Sequence, residues 1–162
     1  MENQNKLSNM IGKLNRLPSI LKKKALTMVV GKVVPYVNTS GLVVEEMSRE
    51  RVMVSMQNLK RIQNHIKGVH ATAMVLMAET ATGFVSAMNC PDEKILLMKS
   101  LSAQYKKRSK GNMKAVATLT SEQAALMASS DKGEVNVEVH VTDETGSEPV
   151  LCQMIWAWLP KK

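Results

Sequence analysis

A chain of 162 residues, 44% apolar and 22% charged, is long enough for one domain with a proper core, and its composition excludes a disordered segment. The net charge of +8 points to an anionic partner: nucleic acid, a membrane surface or a phosphate-bearing cofactor. Two Trp, two Tyr and one Phe leave little for base stacking, no nucleic-acid-binding motif is present, and specific nucleic-acid binding is not expected.

Residues 5–33 read as helix. Leu7, Met10, Ile11, Leu14 and Leu17 form an amphipathic stripe, Pro18 interrupts it, and Ile20–Val33 resumes it until Pro35 ends the segment. The lysine run Lys22, Lys23, Lys24 follows the break. A lid packed on the domain suits so short a basic run better than a membrane-surface helix. From Gly41 the apolar period changes to two: Leu42–Met47 and Arg51–Gln57 make a hairpin around Ser48, Arg49 and Glu50.

Thr72–Asn89 comes next, rich in Ala, Met, Val and Leu, with Glu79 its only formal charge. It reads as a helix apolar nearly all round, hence buried on most sides. It is too short and too rich in Thr and Ser for a membrane span, and no stable membrane insertion is expected. Beyond the Cys90-Pro91-Asp92 turn, an extended segment runs over Lys94–Arg108 and another over Met113–Thr120. Thr120 and Gln123 make a capping box for a short helix over Glu122–Ala128. Glu134–Thr142 alternates cleanly as a strand, and Val150–Leu159, apolar on both faces, is expected at the centre of the sheet or at a subunit interface. The class is α+β: an antiparallel sheet of about five to six strands wrapped around one long central helix, after an N-terminal helical segment. One domain is expected over 1–162, with the helical extension at 1–35 and the core at 41–159. Cys90 and Cys152 have neither metal-ligand spacing nor a disulfide framework; free thiols and a cytoplasmic location are expected.

A lone carboxylate in a buried helix needs a reason, because an unpaired buried charge is costly. Glu79 shares a mildly polar strip with Thr72, Val75, Thr82, Gly83 and Ser86. His70 lies nine residues earlier, about 180° around the helix and about 13–14 Å along it. The two point away from each other, so a common site requires a second copy at a two-fold interface. The helix start offers free N–H groups and a positive dipole end, suited to a developing oxyanion; the carboxylate offers a base or nucleophile.

The stretch Asn64-His65-Ile66-Lys67-Gly68-Val69-His70-Ala71, followed by Glu79 in Ala78-Glu79-Thr80-Ala81, resembles the signature of hot-dog-fold thioesterases. It is most similar to the PaaI-like group and a bacterial DUF4442-type branch. The resemblance covers residues 41–159, with its specific part from Asn64 through Gly83. It implies a homodimer, often paired into tetramers, that hydrolyses acyl-CoA thioesters without a metal; coenzyme A enters only as part of the substrate. The catalytic carboxylate falls on Glu79, the asparagine on Asn64, the helix-start histidine on His70 and the oxyanion amide on Ala71. His65, Gly68, Thr82 and Gly83 fall near the substrate, and Lys106 and Arg108, in a cluster with Lys107 and Lys110, suit the phosphates of coenzyme A. Leu96-Leu97-Met98 supply no hydroxyl where some relatives carry one. Two alternatives remain at this stage. One is a hydroxyacyl-thioester dehydratase or hydratase, with His65 fourteen residues before Glu79; the other is a non-catalytic acyl-CoA-binding module.

Overall fold

The computed structural model describes residues 5–162; residues 1–4 of the expected extension lie outside the described residues. The N-terminal segment is three helices: α1 (Lys6–Leu14), α2 (Ser19–Val33) and α3 (Pro35–Ser40). Pro35 does not end the helical segment as expected. It sits in the first turn of α3, where a residue without an N–H leaves no intrahelical bond unmade. Asn5 ties this extension to the core. Its side chain caps α1 by accepting from the Ser8 N–H at 2.7 Å. It also donates to the Ala87 and Cys90 carbonyls, both at 2.6 Å, at the far end of the central helix.

The strands are β1 (Val43–Met47), β2 (Arg51–Met56), β3 (Lys94–Tyr105), β4 (Met113–Thr118), β5 (Gly133–Asp143) and β6 (Val150–Pro160). They form one sheet in the order β1-β2-β4-β5-β6-β3, every neighbour antiparallel. It curves around α4 (Ala71–Ala87), which packs against β2, β4, β5 and β6. Met77, Ala78, Ala81 and Val85 of α4 are fully enclosed with Val54, Ala115, Ala117 and Met154 from the strands. β6 lies inside the sheet, between β5 and β3, which accounts for its apolar content on both faces.

The two edge strands are treated differently. Along β1, α2 lies close: the Val44 N–H donates to Thr27 Oγ1 at 3.0 Å, Asn15 donates to the Met47 carbonyl at 3.0 Å, and Lys23 pairs with Glu45. At the other edge β3 is bare over twelve residues, with Ile95, Leu97, Leu101 and Tyr105 exposed. A long apolar edge left open is an invitation to pair with another strand.

The short helix α5 (Ser121–Ser129) carries the expected capping box between Thr120 and Gln123. Its C-terminal end is closed by a buried lysine. Lys94 Nζ donates to the carbonyls of Met127 at 2.8 Å, Ala128 at 3.1 Å and Ser130 at 2.9 Å, a cation set against the negative end of a helix. Substituting Lys94→Met leaves those carbonyls without their donor. A loss of about 2–3 kcal/mol in unfolding free energy is expected from urea denaturation, with the slope of the transition unchanged.

Candidate active site

The positions flanking the start of α4 come from a loop whose turn is set by Asn64. Its Oδ1 accepts from the Ile66 and Gly68 N–H groups, both at 3.1 Å, and its backbone N–H donates to the Gly68 carbonyl at 2.9 Å. Lys67 takes up the positive φ of 62° that this turn needs. Asn64 is thus the organiser of a turn. His70 is the N-cap of α4: Nδ1 accepts from the Thr72 N–H at 3.2 Å, which requires that ring nitrogen to be unprotonated. Among the described residues the Ala71 N–H finds no acceptor, while its carbonyl accepts from Tyr105 Oη at 3.0 Å. Such an amide is a free donor at the positive end of a helix.

Asn64, Gly68 and Ala71 line a cleft of about 370 Å³ together with Lys106, Lys107, Arg108 and Ser109. The donor end of α4 and the basic residues Lys106, Lys107 and Arg108 lie side by side. His65 and His70 are exposed and face other surroundings. His70 looks toward Tyr36, Arg61 and Leu76. Lys110 takes no part in the cleft; its backbone N–H donates to Asp143 at 3.0 Å.

Glu79 is elsewhere. It opens onto an apolar pocket of about 220 Å³ walled by Leu7, Val33, Val34 and Val37 of the extension, Thr80, Gly83, Phe84 and Ala87 of α4, Leu96 of β3 and Trp156 of β6. Burial pushes the Glu79 carboxyl above the ordinary carboxylate range; the neighbouring Thr80 hydroxyl acts the other way and loses. Thr80 Oγ1 itself is buried without a well-aligned partner. Glu79 and Ala71 are eight residues apart on one helix, about 12 Å along its axis. They open into separate cavities.

Two strip positions depart from the sequence reading. Thr82 and Ser86 are fully buried, because the sheet covers their side of α4; the half-open face runs instead through Val75, Glu79, Gly83 and Ala87. Thr82, expected near the substrate, has its hydroxyl engaged. It donates to the Ala78 carbonyl at 2.8 Å and accepts from Trp156 Nε1 at 2.9 Å. Its role is to hold Trp156, a pocket wall the sequence reading missed. The signal for it was Gly83: a Cβ there would sit 2.7 Å from Trp156 Cζ2, so the indole lies flat against the bare backbone. The extension's Val33, Val34 and Val37 carried no such signal, since nothing local in sequence links them to Glu79. Among the described residues no group of three or more His, Cys, Asp or Glu is placed to hold a metal, and no helix is long and apolar enough to cross a membrane.

A six-stranded antiparallel sheet wrapped around one long helix is the hot-dog fold that the sequence resembled. Solved structures share it, among them the following three. A protein of unknown function from Pseudomonas aeruginosa, described as a probable thioesterase, superposes with a TM-score of 0.76 at 20% identity, over 90% of this chain and 97% of its own. A mutant thioesterase from the same organism gives 0.65 at 15% identity, over 83% and 94%. A Haemophilus influenzae thioesterase gives 0.60 at 13%, over 77% and 82%. At these identities the likeness establishes the fold. No curated protein sequence matches the chain. The chain belongs to the DUF4442 family, described as a domain of unknown function, whose model matches residues 22–159.

The contact between Gly83 and Trp156 yields a test. Gly83→Ala forces the buried indole away from α4, for a destabilisation of about 1–3 kcal/mol and a shifted Trp emission maximum. Thr82→Val, which removes the acceptor for Trp156 Nε1 together with the donor to the Ala78 carbonyl, should perturb the same emission without the steric clash.

Proposed function

We propose that this protein is an acyl-CoA thioesterase whose active site is completed by a second copy of the chain. The observation that carries the reading is the division of the chemistry between two cavities. An uncompensated carboxylate with a raised pKa opens onto an apolar pocket, and an unpaired helix-start amide beside three cations opens onto a polar cleft. Neither half is sufficient alone for thioester hydrolysis, which needs a base or nucleophile and an oxyanion donor within reach of one carbonyl.

A two-fold pairing supplies both. The bare β3 edge runs beside α4, with its Tyr105 end at the helix start and its Leu96 end at the Glu79 pocket. Antiparallel association of two β3 edges sets the half-open faces of the two α4 helices together in opposite directions. Glu79 of one copy then faces the Ala71 amide of the other. In this arrangement the acyl group enters the apolar pocket, its thioester carbonyl oxygen accepts from the Ala71 N–H, and Lys106, Lys107 and Arg108 meet the phosphates of coenzyme A. Glu79, as carboxylate, takes a proton from the attacking water. The tetrahedral intermediate collapses with cleavage of the C–S bond, and the proton passes to the departing thiolate. Attack by the carboxylate itself, through an anhydride that water then opens, uses the same geometry. His70 acts by capping the helix and fixing the Ala71 amide.

Two measurements test this reading. Glu79→Gln should reduce the release of free thiol from acyl-CoA by about 10²–10⁴-fold while the variant still binds substrate. Undiminished turnover would overturn the assignment. The pH dependence has a definite sign. The carboxylate form works, and its pKa is raised, so activity should fall with acidification at a pH above the ordinary carboxylate range. Stability runs the opposite way: the folded state holds the Glu79 proton more tightly than the unfolded chain. The penalty for ionising it therefore appears as pH rises from the ordinary value through the raised one. At neutral pH Glu79→Gln should melt no lower than the native protein, and that part of the stability–pH curve should flatten.

A further inference from the structure

The outward face of α2 is a large feature that neither the fold nor the proposed site uses. The inner face packs through Leu26 and Val30, both buried. On the opposite side Ile20, Leu21 and Met28 stand in the open, with 71%, 55% and 70% of their surface exposed, and Leu17 extends the row. With Lys24 and Lys32 these positions fall within an arc of about 120°. A surface helix normally carries one apolar face, and here there are two.

The described part of the segment that carries that face holds charge of a single sign. Between Asn5 and Val44 the chain carries Lys6, Lys13, Arg16, Lys22, Lys23, Lys24 and Lys32 and no aspartate or glutamate. Among the described residues only Lys23 is matched by an acidic partner, Glu45 of β1. Seven of the chain's 22 basic residues are thus gathered on one segment. Lys24 lies within the apolar row and Lys32 at its border, where long aliphatic stems can follow apolar groups inward while the ammonium stays at a charged layer.

We propose that the α2 face docks the protein on the surface of an anionic lipid bilayer. Ile20, Leu21 and Met28 enter the headgroup–acyl boundary, and Lys24 and Lys32 meet lipid phosphates. An apolar stripe alone would suit any apolar partner; the lysines within and beside it select an anionic sheet, and, with no helix among the described residues long and apolar enough to cross a membrane, the proposed attachment is peripheral. The inference does not rest on the thioesterase reading, since these side chains lie outside both cavities.

The test is sedimentation of the full chain with sucrose-loaded vesicles, either of phosphatidylcholine alone or with about 30% phosphatidylglycerol. Binding is expected to the anionic vesicles at about 0.1 M salt, weaker by about tenfold on the neutral ones and weaker again in high salt. Ile20→Glu with Met28→Glu should abolish it, and Lys24→Ser with Lys32→Ser should weaken it, the urea midpoint being unchanged in each because all four side chains are outward. Equal binding to both vesicle types, or binding unaffected by the Glu substitutions, would overturn the proposal. So would a native chain that elutes as a larger assembly than the Glu variant, which would mean that a second copy covers the face.

Discussion

An α-helix that is apolar on nearly every side exists in water only if something covers every side. In this chain α4 is that helix, and its covering dictates the rest. Six strands supply three sides, since an antiparallel sheet of this length curls naturally and presents a continuous inward face. The fourth side is closed only in part, by residues of the N-terminal extension. The open stretch through Val75, Glu79, Gly83 and Ala87 is therefore where one chain ends its own solution to the burial problem.

Within that frame, polar chemistry is confined to a few places. The helix start is polar because its first amides have no intrahelical acceptors, and the chain satisfies one of them with His70 and leaves Ala71. Glu79 is polar by sequence, and its pocket is made apolar by the extension. Asn5 couples these parts, since one side chain caps α1 and grips the last turn of α4. The pocket wall and the helix beside it are thus held by the same residue.

The strand order of the chain, the central helix and the hairpins could be read from periodicity because each is encoded by neighbours in sequence. Val135, Val137, Val139 and Val141 alternate on a strand; Thr120 and Gln123 close a helix three residues apart. The basic cleft was not local in this sense: Lys106 and Arg108 come from the far side of α4 in sequence, and only the family resemblance associated them with Asn64 and Ala71. Features that depend on distant pairings could not be read that way. Trp156 and Thr82 are 74 residues apart, and only the sheet that passes over α4 brings them together. Thr82 consequently reads as a polar helix position near a substrate when it is in fact committed to an indole. Pro35 reads as a stop because proline usually ends helices, yet the same missing N–H makes it a helix start once Val34 has turned the chain.

The separation of Glu79 from the Ala71 amide has an energetic logic. Were both on one wall of one pocket, the amide would donate to the carboxylate in the resting protein. That bond would lower the carboxyl's pKa and use up the donor, leaving a well-satisfied ion and no oxyanion site. Carried at points about 12 Å apart on a rigid helix, neither can reach the other within one chain. Glu79 keeps the raised pKa of a desolvated group, and Ala71 keeps a free N–H. In the proposed assembly the two meet only across the interface, with a substrate carbonyl between them, so each interaction is made first with the reacting group. A hydrolase built this way stores its polarity unsatisfied in separate halves, and assembly together with substrate completes it.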